Sequence, residues 1–155
     1  MKSDIFSTLL EELGEELKIK DLHPDANQSC LIKFPTGIDI QIEPDKEGKF
    51  LIAAIKFETL PKGRYRETIF KEALKANGMP YPRYGTFAFI RKTEQLMLFE
   101  TYYLQDLTGQ KLFEQLKPFS EKGLSWKNSL SRGEIPSIIQ FYTADKPVGM
   151  FLSNS

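Results

Sequence analysis

"YRETIFKEALKANG", residues 65–78, predicts a short amphipathic helix with a defined end. Its apolar side chains recur at helical spacing: Ile69, Phe70, Ala73 and Leu74. Asn77-Gly78 is a favourable C-terminal stop, because glycine tolerates the left-handed backbone conformation that ends many helices. The two prolines of "MPYP", residues 79–82, then prevent the helix from resuming.

The strand that follows this break, residues 86–92, is apolar on both faces. Phe87 and Phe89 point to one side, and Ala88 and Ile90 point to the other. The sequence "QLMLFETYYL", residues 95–104, repeats this two-faced pattern after a short turn. Strands of this kind need apolar cover on both sides.

The first third of the chain predicts one helix and three strands. Residues 4–18 place four apolar side chains at helical spacing: Phe6, Leu10, Leu13 and Leu17. The turn signals "PTG" and "PDKEG" divide residues 29–57 into three strands. The middle strand has one apolar face, formed by Ile38, Ile40 and Ile42. The third strand is apolar on both faces.

The last helix is predicted from near Thr108 to about Arg132, either kinked near Pro118 and Gly123 or divided there into two helices in line. The order is then helix, three strands, helix, two strands, helix. This is an α+β arrangement with a twisted, mainly antiparallel sheet. We expect a single domain over residues 1–133. The tail, residues 134–155, is more apolar than a typical disordered end, and we expect it to be partly ordered against the domain.

The composition argues against several classes of protein. Of 155 residues, 41% are hydrophobic and 27% charged, and no apolar run approaches the roughly 18 residues of a membrane span. We therefore expect no membrane insertion. The N-terminus turns acidic at once, unlike a cleaved export signal. Twenty-one basic residues balance 21 acidic ones, which disfavours general nucleic-acid binding. "KGRYR", residues 62–66, and Arg83 are candidates for a local basic patch, although a solvated loop is the favoured interpretation.

Catalytic signals are weak throughout the sequence. The only histidine, His23, lies beside a proline between a helix and a strand, and the only cysteine, Cys30, lies in an apolar strand. One of each cannot form the usual four-ligand zinc site, and no G-x-S-x-G nucleophile motif is present. A single cysteine also excludes an internal disulfide framework and suits a reducing cytoplasm. We expect no catalytic residue, no metal site, no cofactor and no enzymatic activity. The surplus of apolar surface indicates self-association, a protein ligand, or both.

The chain resembles the Tir-chaperone-like, or class I, type III secretion chaperones of Gram-negative bacteria over roughly residues 4–132. The resemblance rests on the element order, the length and three local patterns: "LLEELGEEL", "FKEALKANG" followed by "YGTFAFI", and "LFEQLKPFSEKGLSWKNSL".

This resemblance implies a cytoplasmic, ATP-independent homodimer without nucleotide or metal. It implies binding to the N-terminal region of secreted effectors, which is kept unfolded and soluble and is delivered for secretion. The effector segment is expected to be extended, to fill hydrophobic grooves and often to add a strand to the sheet. The secretion ATPase is a further candidate partner.

The resemblance also assigns candidate residues. The middle helix and the strand after it form much of the dimer interface, here Phe70, Ala73, Leu74, Phe87 and Phe89. The first helix and first three strands supply the effector-binding patches, here Phe6, Leu10, Leu13, Leu31, Phe34, Ile40, Phe50 and Ile52.

Two alternatives remain open from the sequence. The strand aromatics Phe87, Phe89, Phe99, Tyr102 and Tyr103 would suit an α+β domain that stacks the bases of single-stranded RNA. Core or dimer packing is favoured, because the strand at residues 86–92 lacks the interleaved Lys and Arg that phosphates require. A small enzyme with borrowed or backbone-based chemistry is the third hypothesis, and the sequence gives no positive sign of it.

Overall fold

A computed structural model describes residues 2–138, with side chains from residue 5 onward. The elements are α1 (Lys2–Leu17), β1 (Cys30–Lys33), β2 (Asp39–Pro44), β3 (Phe50–Thr59), α2 (Arg64–Asn77), β4 (Thr86–Ile90), β5 (Gln95–Tyr103) and α3 (Gly109–Ser131). The five strands form one sheet in the order β1-β2-β3-β5-β4. The predicted α+β fold and element order are confirmed.

The contacts divide the chain into two compact units. The first unit comprises residues 1–55 and 99–124, and the second comprises residues 56–98 and 125–155. β3, β5 and α3 each contribute residues to both units. The expectation of one domain over residues 1–133 stays a prediction.

Helix α1 ends one residue earlier than its sequence pattern indicates, and Gly14 is part of the reason. Lys18 takes the left-handed conformation with φ of 59°, and the Ile19 N–H donates to Gly14 O at 2.8 Å. These are the features of a Schellman cap. A Cβ on Gly14 would lie 2.7 Å from Ile19 O. Gly14 therefore permits this cap, because any larger residue would bring a Cβ against the Ile19 carbonyl.

In the first unit, β1, β2 and the start of β3 present one buried face. The antiparallel register aligns Cys30 with Ile42, and Ile42 with Ala53, in one row across the three strands. The apolar residues of this inner face are all nearly inaccessible: Cys30, Ile32, Ile40, Ile42, Leu51, Ala53 and Ile55. The predicted alternation along β2 is thereby confirmed, since Asp39, Gln41 and Glu43 lie on the opposite, outer face.

Helix α3 packs closely on both α1 and the inner face of the first unit. The Phe113 ring stacks on Phe34 with a centroid distance of 5.6 Å. Gly123 faces Ile55 so closely that a Cβ would overlap the end of that side chain. At the start of α3, the Thr108 hydroxyl accepts from the Lys111 N–H at 3.1 Å, as an N-cap does. The helix continues through Pro118, so it is one helix rather than two in line.

Gly109→Ala should destabilise the protein by about 1–3 kcal/mol, the usual cost of overpacking a close contact. The new Cβ would overlap the backbone of Glu12 and lie 2.6 Å from Leu13 N, where backbone cannot move aside as a side-chain end can. The shift would also disturb the hydrogen bond from the Gly109 N–H to Glu12 Oε1, now 2.8 Å long. Urea denaturation followed by circular dichroism measures the change. The exposed neighbour Gln110→Ala is the control, and equal stability of the two variants would contradict the close contact.

The second unit has an aromatic core. Trp126 is fully buried, and Phe87 contacts it with a centroid distance of 4.1 Å.

Helix α2 ends without the left-handed glycine that its sequence predicts. Gly78 has φ of −86° and is not left-handed. The Arg83 guanidinium instead donates to Asn77 O at 2.9 Å. Because this donor satisfies a terminal carbonyl, the helix end does not depend on a left-handed residue.

The start of the predicted tail lies against α2. The Tyr65 hydroxyl donates to Glu134 O at 2.7 Å, and Pro136 is buried. Most of the tail, residues 139–155, lies outside the described residues, so its expected ordering stays a prediction. Within residues 2–138, no helix is long and apolar enough to cross a membrane.

Candidate functional site

Two apolar surfaces stand out, one in each unit. We call the first the α2–β4 groove, a cleft of about 190 Å³ lined by Phe70, Ala73, Leu74, Asn77, Phe87, Ala88, Phe89 and Leu96. All five residues predicted for the dimer interface line it. Ile69, Ala73 and Ala76 turn the buried side of α2 inward, whereas Leu74 is 71% exposed. Leu74 lies in the last turn of α2, and an exposed leucine beside an apolar cleft is typical of a surface that receives a partner.

Asn77 holds the end of α2 against β4. Its side-chain amide donates to Phe87 O at 3.0 Å, and its Oδ1 accepts from the Phe87 N–H at 2.8 Å. The amide thus pairs with the strand backbone as a neighbouring strand would. The sequence indicated only a helix stop at this residue, since no local spacing rule signals a contact of this kind.

Arg66 supports the aromatic wall of the groove. The Phe70 and Phe89 rings meet edge to face with a centroid distance of 4.7 Å, and the Arg66 guanidinium lies 5.5 Å and 4.9 Å from their centroids. The same guanidinium donates to Glu94 Oε1 at 2.9 Å and to Leu60 O at 3.0 Å. Such cation–π and charge-assisted contacts fix the two rings.

Two arginines of the candidate basic patch, Arg66 and Arg83, form contacts within the protein. Arg66 belongs to α2 and its side chain is only 17% exposed, so it is not part of a solvated loop. Arg83 lies over the Tyr81 ring at 4.2 Å and donates to the Tyr81 hydroxyl at 2.8 Å. These two guanidinium groups are committed to internal contacts, which does not favour a phosphate-binding role.

We call the second surface the outer strand patch, formed by Leu31, Phe50, Ile52 and Tyr103. Leu31 is 65% exposed and Tyr103 is 64% exposed, while Phe50 and Ile52 are half-buried. The register aligns Leu31 with Gln41, and Gln41 with Ala54, in one row on the outer face. The Phe50 ring contacts Tyr103 with a centroid distance of 4.7 Å. The third strand thus keeps apolar side chains on a face that the described chain leaves partly open.

The predicted effector-binding residues separate into two groups. Leu31, Phe50 and Ile52 all lie on the outer face of the sheet, with the polar residues Gln41 and Glu43 of β2 between Leu31 and the other two. The other five are buried in the core of the first unit and shape the surface only from beneath: Phe6, Leu10, Leu13, Phe34 and Ile40. Helical spacing and strand alternation identified these side chains as apolar, but they cannot show which neighbour covers them. Tyr103 completes the patch, although the sequence indicated it only as an RNA-stacking candidate.

Strand β1 adds an open backbone edge beside this patch. It is the terminal strand of the sheet, and the Phe34 N–H donates to Ile38 O at 2.9 Å. Because bonded and non-bonded pairs alternate in antiparallel strands, the backbone groups of Ile32 face β2. Those of Leu31 and Lys33 then face away from β2, toward the open edge. An extended peptide can pair with these groups.

The groups that could carry chemistry are placed unfavourably for it. Burial, with a smaller contribution from Asp25, raises the pKa of the Cys30 thiol, so the nucleophilic thiolate is disfavoured. His23 is exposed, and its Nδ1 lies 2.6 Å from Asp21 O. No cluster of three or more His, Cys, Asp and Glu side chains in residues 5–138 is placed to hold a metal ion. What the described surfaces provide is apolar contact area and a strand edge.

The aromatics proposed for RNA stacking do not form one exposed platform. Phe87 and Tyr102 are buried, and Phe89 and Phe99 are half-buried. Only Tyr103 of that set is exposed, and it leans on Phe50. A stacking surface for successive bases needs several open rings.

Comparisons with solved structures find the same fold in chaperone complexes. A chain of the Yersinia pestis type III secretion chaperone SycH in complex with a stable fragment of YscM2 is 19% identical, with 77% of this chain and 97% of that chain covered and a TM-score of 0.60. A chain of the HopA1–SchA chaperone–effector complex is 14% identical, with coverages of 83% and 97% and a TM-score of 0.61. A chain of the Pseudomonas aeruginosa ExoU–SpcU complex is 12% identical, with coverages of 84% and 98% and a TM-score of 0.55.

No curated protein matches the sequence significantly. The decisive comparison is with protein families, in which residues 8–127 match the Tir chaperone protein (CesT) family. That match runs from within α1 into α3 and includes both apolar surfaces. The resemblance inferred from the sequence is confirmed, and the chain belongs to the Tir chaperone protein (CesT) family of type III secretion chaperones.

Proposed function

We propose that this protein is a homodimeric, ATP-independent cytoplasmic chaperone that binds the N-terminal segments of type III secreted effectors. It acts by binding rather than by catalysis, keeps the segment unfolded and soluble, and presents it for secretion, with the secretion ATPase as a further partner. The observation that carries this proposal is the outer strand patch, where Leu31 lies exposed on the edge strand β1, Tyr103 lies exposed on β5, and Phe50 and Ile52 lie half-buried on β3. The complexes named in the related structures support a partner of this kind.

Binding at this surface combines two kinds of contact. The apolar side chains of the outer strand patch receive alternate side chains of an extended segment. The Leu31 and Lys33 backbone groups on the β1 edge supply main-chain hydrogen bonds, as in strand addition. Main-chain bonds are indifferent to side-chain identity, so this arrangement suits cargo with a general apolar pattern rather than one fixed sequence.

The energetics require a large contact area. An unfolded segment loses chain entropy when it binds, at about 1–2 kcal/mol per fixed residue. The interface is therefore expected to bury on the order of 1,000–3,000 Å², with a negative heat-capacity change. The contacts are apolar and main-chain, so binding should depend only weakly on salt.

Leu31→Glu should reduce effector binding by about tenfold while leaving the protein folded. Moving one leucine side chain out of an apolar contact costs about 1.5–3 kcal/mol, and Leu31 is too exposed to contribute much to the core. Tagged wild-type and variant proteins are expressed in the native cell, and the secreted proteins recovered with each are quantified by mass spectrometry. Asn128→Glu, an exposed substitution on α3 with the same change of charge, is the control.

Two results would contradict the proposed cargo surface or the proposed function. Equal recovery of secreted proteins by wild type and by folded Leu31→Glu would remove the outer strand patch as the cargo site. Recovery of RNA or a metabolite with wild type, and of no secreted protein, would overturn the chaperone function for this chain and favour the alternatives.

We also propose that the α2–β4 groove is the homodimer interface. Its apolar lining and the exposed Leu74 support a two-fold pairing, the commonest way to bury a self-complementary patch. Light scattering at micromolar concentration should then give about twice the chain mass of 17.8 kDa.

A further inference from the structure

The α2–β4 groove lies open in the described chain and can be filled by more than one kind of apolar segment. Leu74 projects from α2, and Ala88 and Phe89 on β4 are only half-buried. The cleft between them, about 190 Å³, holds one or two apolar side chains. Whatever occupies it gains contact with the Phe70–Phe89 ring pair.

The end of α3 directs the chain toward α2. Gly133 takes a left-handed conformation with φ of 68°, and the Glu134 N–H donates to Ser129 O at 2.8 Å. These are the features of a Schellman cap, which ends the helix at this point. Glu134 O then accepts from the Tyr65 hydroxyl at 2.7 Å, on the first turn of α2. A tyrosine hydroxyl is protonated at neutral pH, and burial, with smaller contributions from Glu134 and Glu58, raises the pKa of Tyr65 further.

The segment that continues from this anchor is long enough to reach the groove. Tyr65 and Leu74 are nine residues apart on one helix, which is about 13 Å at 1.5 Å per residue. Residues 139–155 extend to roughly 55 Å at most, at about 3.3 Å per residue. Any part of this segment can therefore reach Leu74.

The composition of the segment suits an apolar cleft. It carries Phe141 and Tyr142, and further on the cluster Met150, Phe151 and Leu152. Its charged residues are Asp145 and Lys146, which cancel. The groove lining contains no charged side chain, so no buried charge opposes the contact.

We propose that residues 139–155 bind in the α2–β4 groove of their own chain and thereby compete with a second copy of the chain for it. The competition rests on the proposed dimer interface, whereas occupation of the groove does not. A tethered segment has an effective concentration in the millimolar range, so even weak contacts of the Met150–Leu152 cluster hold it in place. The apparent affinity of the dimer then depends on two equilibria, the binding of residues 139–155 to the groove and the binding of a second chain to it.

Photo-crosslinking tests the occupation of the groove directly. p-Benzoylphenylalanine replaces Phe151 in the full chain, and a second protein carries it at the polar position Thr143. Each is mixed with an equal amount of an isotope-labelled copy, at low and high protein concentration, and the crosslinked peptides are identified by mass spectrometry. The expected result is crosslinks from position 151 to α2 or β4 within one chain, and fewer from position 143. Crosslinks to other elements, or only between labelled and unlabelled chains, would overturn the inference.

Truncation after Ile138 tests whether residues 139–155 and a second chain compete for the α2–β4 groove. Sedimentation equilibrium should show the dimer dissociation constant of the truncated chain to be at least tenfold lower than that of the full chain. If position 151 crosslinks to its own groove but truncation leaves dimerisation unchanged, the competition is refuted and the dimer interface lies elsewhere. If the crosslinks lie outside the groove while Leu74 variants still disrupt the dimer, the dimer proposal stands and the tail inference fails.

Discussion

Leu74→Asp is expected to convert the proposed dimer into a folded monomer, with the dimer dissociation constant raised at least 100-fold. Leu74 is largely exposed in the single chain, so aspartate there costs the fold less than about 1 kcal/mol through helix propensity. In a dimer the same side chain would be buried, and an unpaired carboxylate is costly to desolvate. Because a two-fold interface contains every residue twice, the penalty also counts twice.

Sedimentation equilibrium measures the dissociation constant, and circular dichroism checks the fold. Lys71→Gln is the matched control, because Lys71 lies exposed on the same helix and does not line the groove, and both substitutions make the net charge more negative by one unit. A Leu74→Asp protein that is folded and dimerises as wild type does would place the interface elsewhere.

Phe87 is a less informative position for this test, although the sequence favoured it. It is 6% exposed, and its ring contacts both Phe57 and Trp126. A charged residue there would disrupt the core of the second unit as well as the groove. Loss of the dimer in such a variant would therefore not distinguish an interface residue from a core residue.

Trp126→Ala should lower the free energy of unfolding by about 3–5 kcal/mol, the range for truncating a large buried aromatic side chain. The indole is fully buried, and Phe87 packs against it with a centroid distance of 4.1 Å. A loss of this size is a large part of the 5–15 kcal/mol that stabilises a typical domain.

Urea denaturation followed by circular dichroism measures the Trp126 effect, since the variant lacks the only tryptophan and its fluorescence. Trp126→Phe, which keeps a ring in the cavity, should lose less than half as much stability. A loss below about 1 kcal/mol for Trp126→Ala would show that the contact with Phe87 contributes little.

The sequence by itself determined the order and kind of the elements. The alternation along β2 and the placement of Leu31 on the face opposite to Cys30 and Ile32 follow from the two-residue period of a strand. The break after Asn77 and the two-faced strand predicted at residues 86–92 pointed to surface that needs a partner. These signals are local, because each depends on residues a few positions apart.

Only the tertiary structure decided which apolar residues remain open to a partner. Leu10 and Ile40 are as apolar as Leu31, but α1 and the inner sheet face lie in the core of the first unit, whereas Leu31 lies on the outer face. Likewise, Asn77 and Arg66 acquire their roles from Phe87 and Glu94, which are distant in sequence. Burial and long-range contacts depend on how elements pack, and packing is not encoded in the period of any one element.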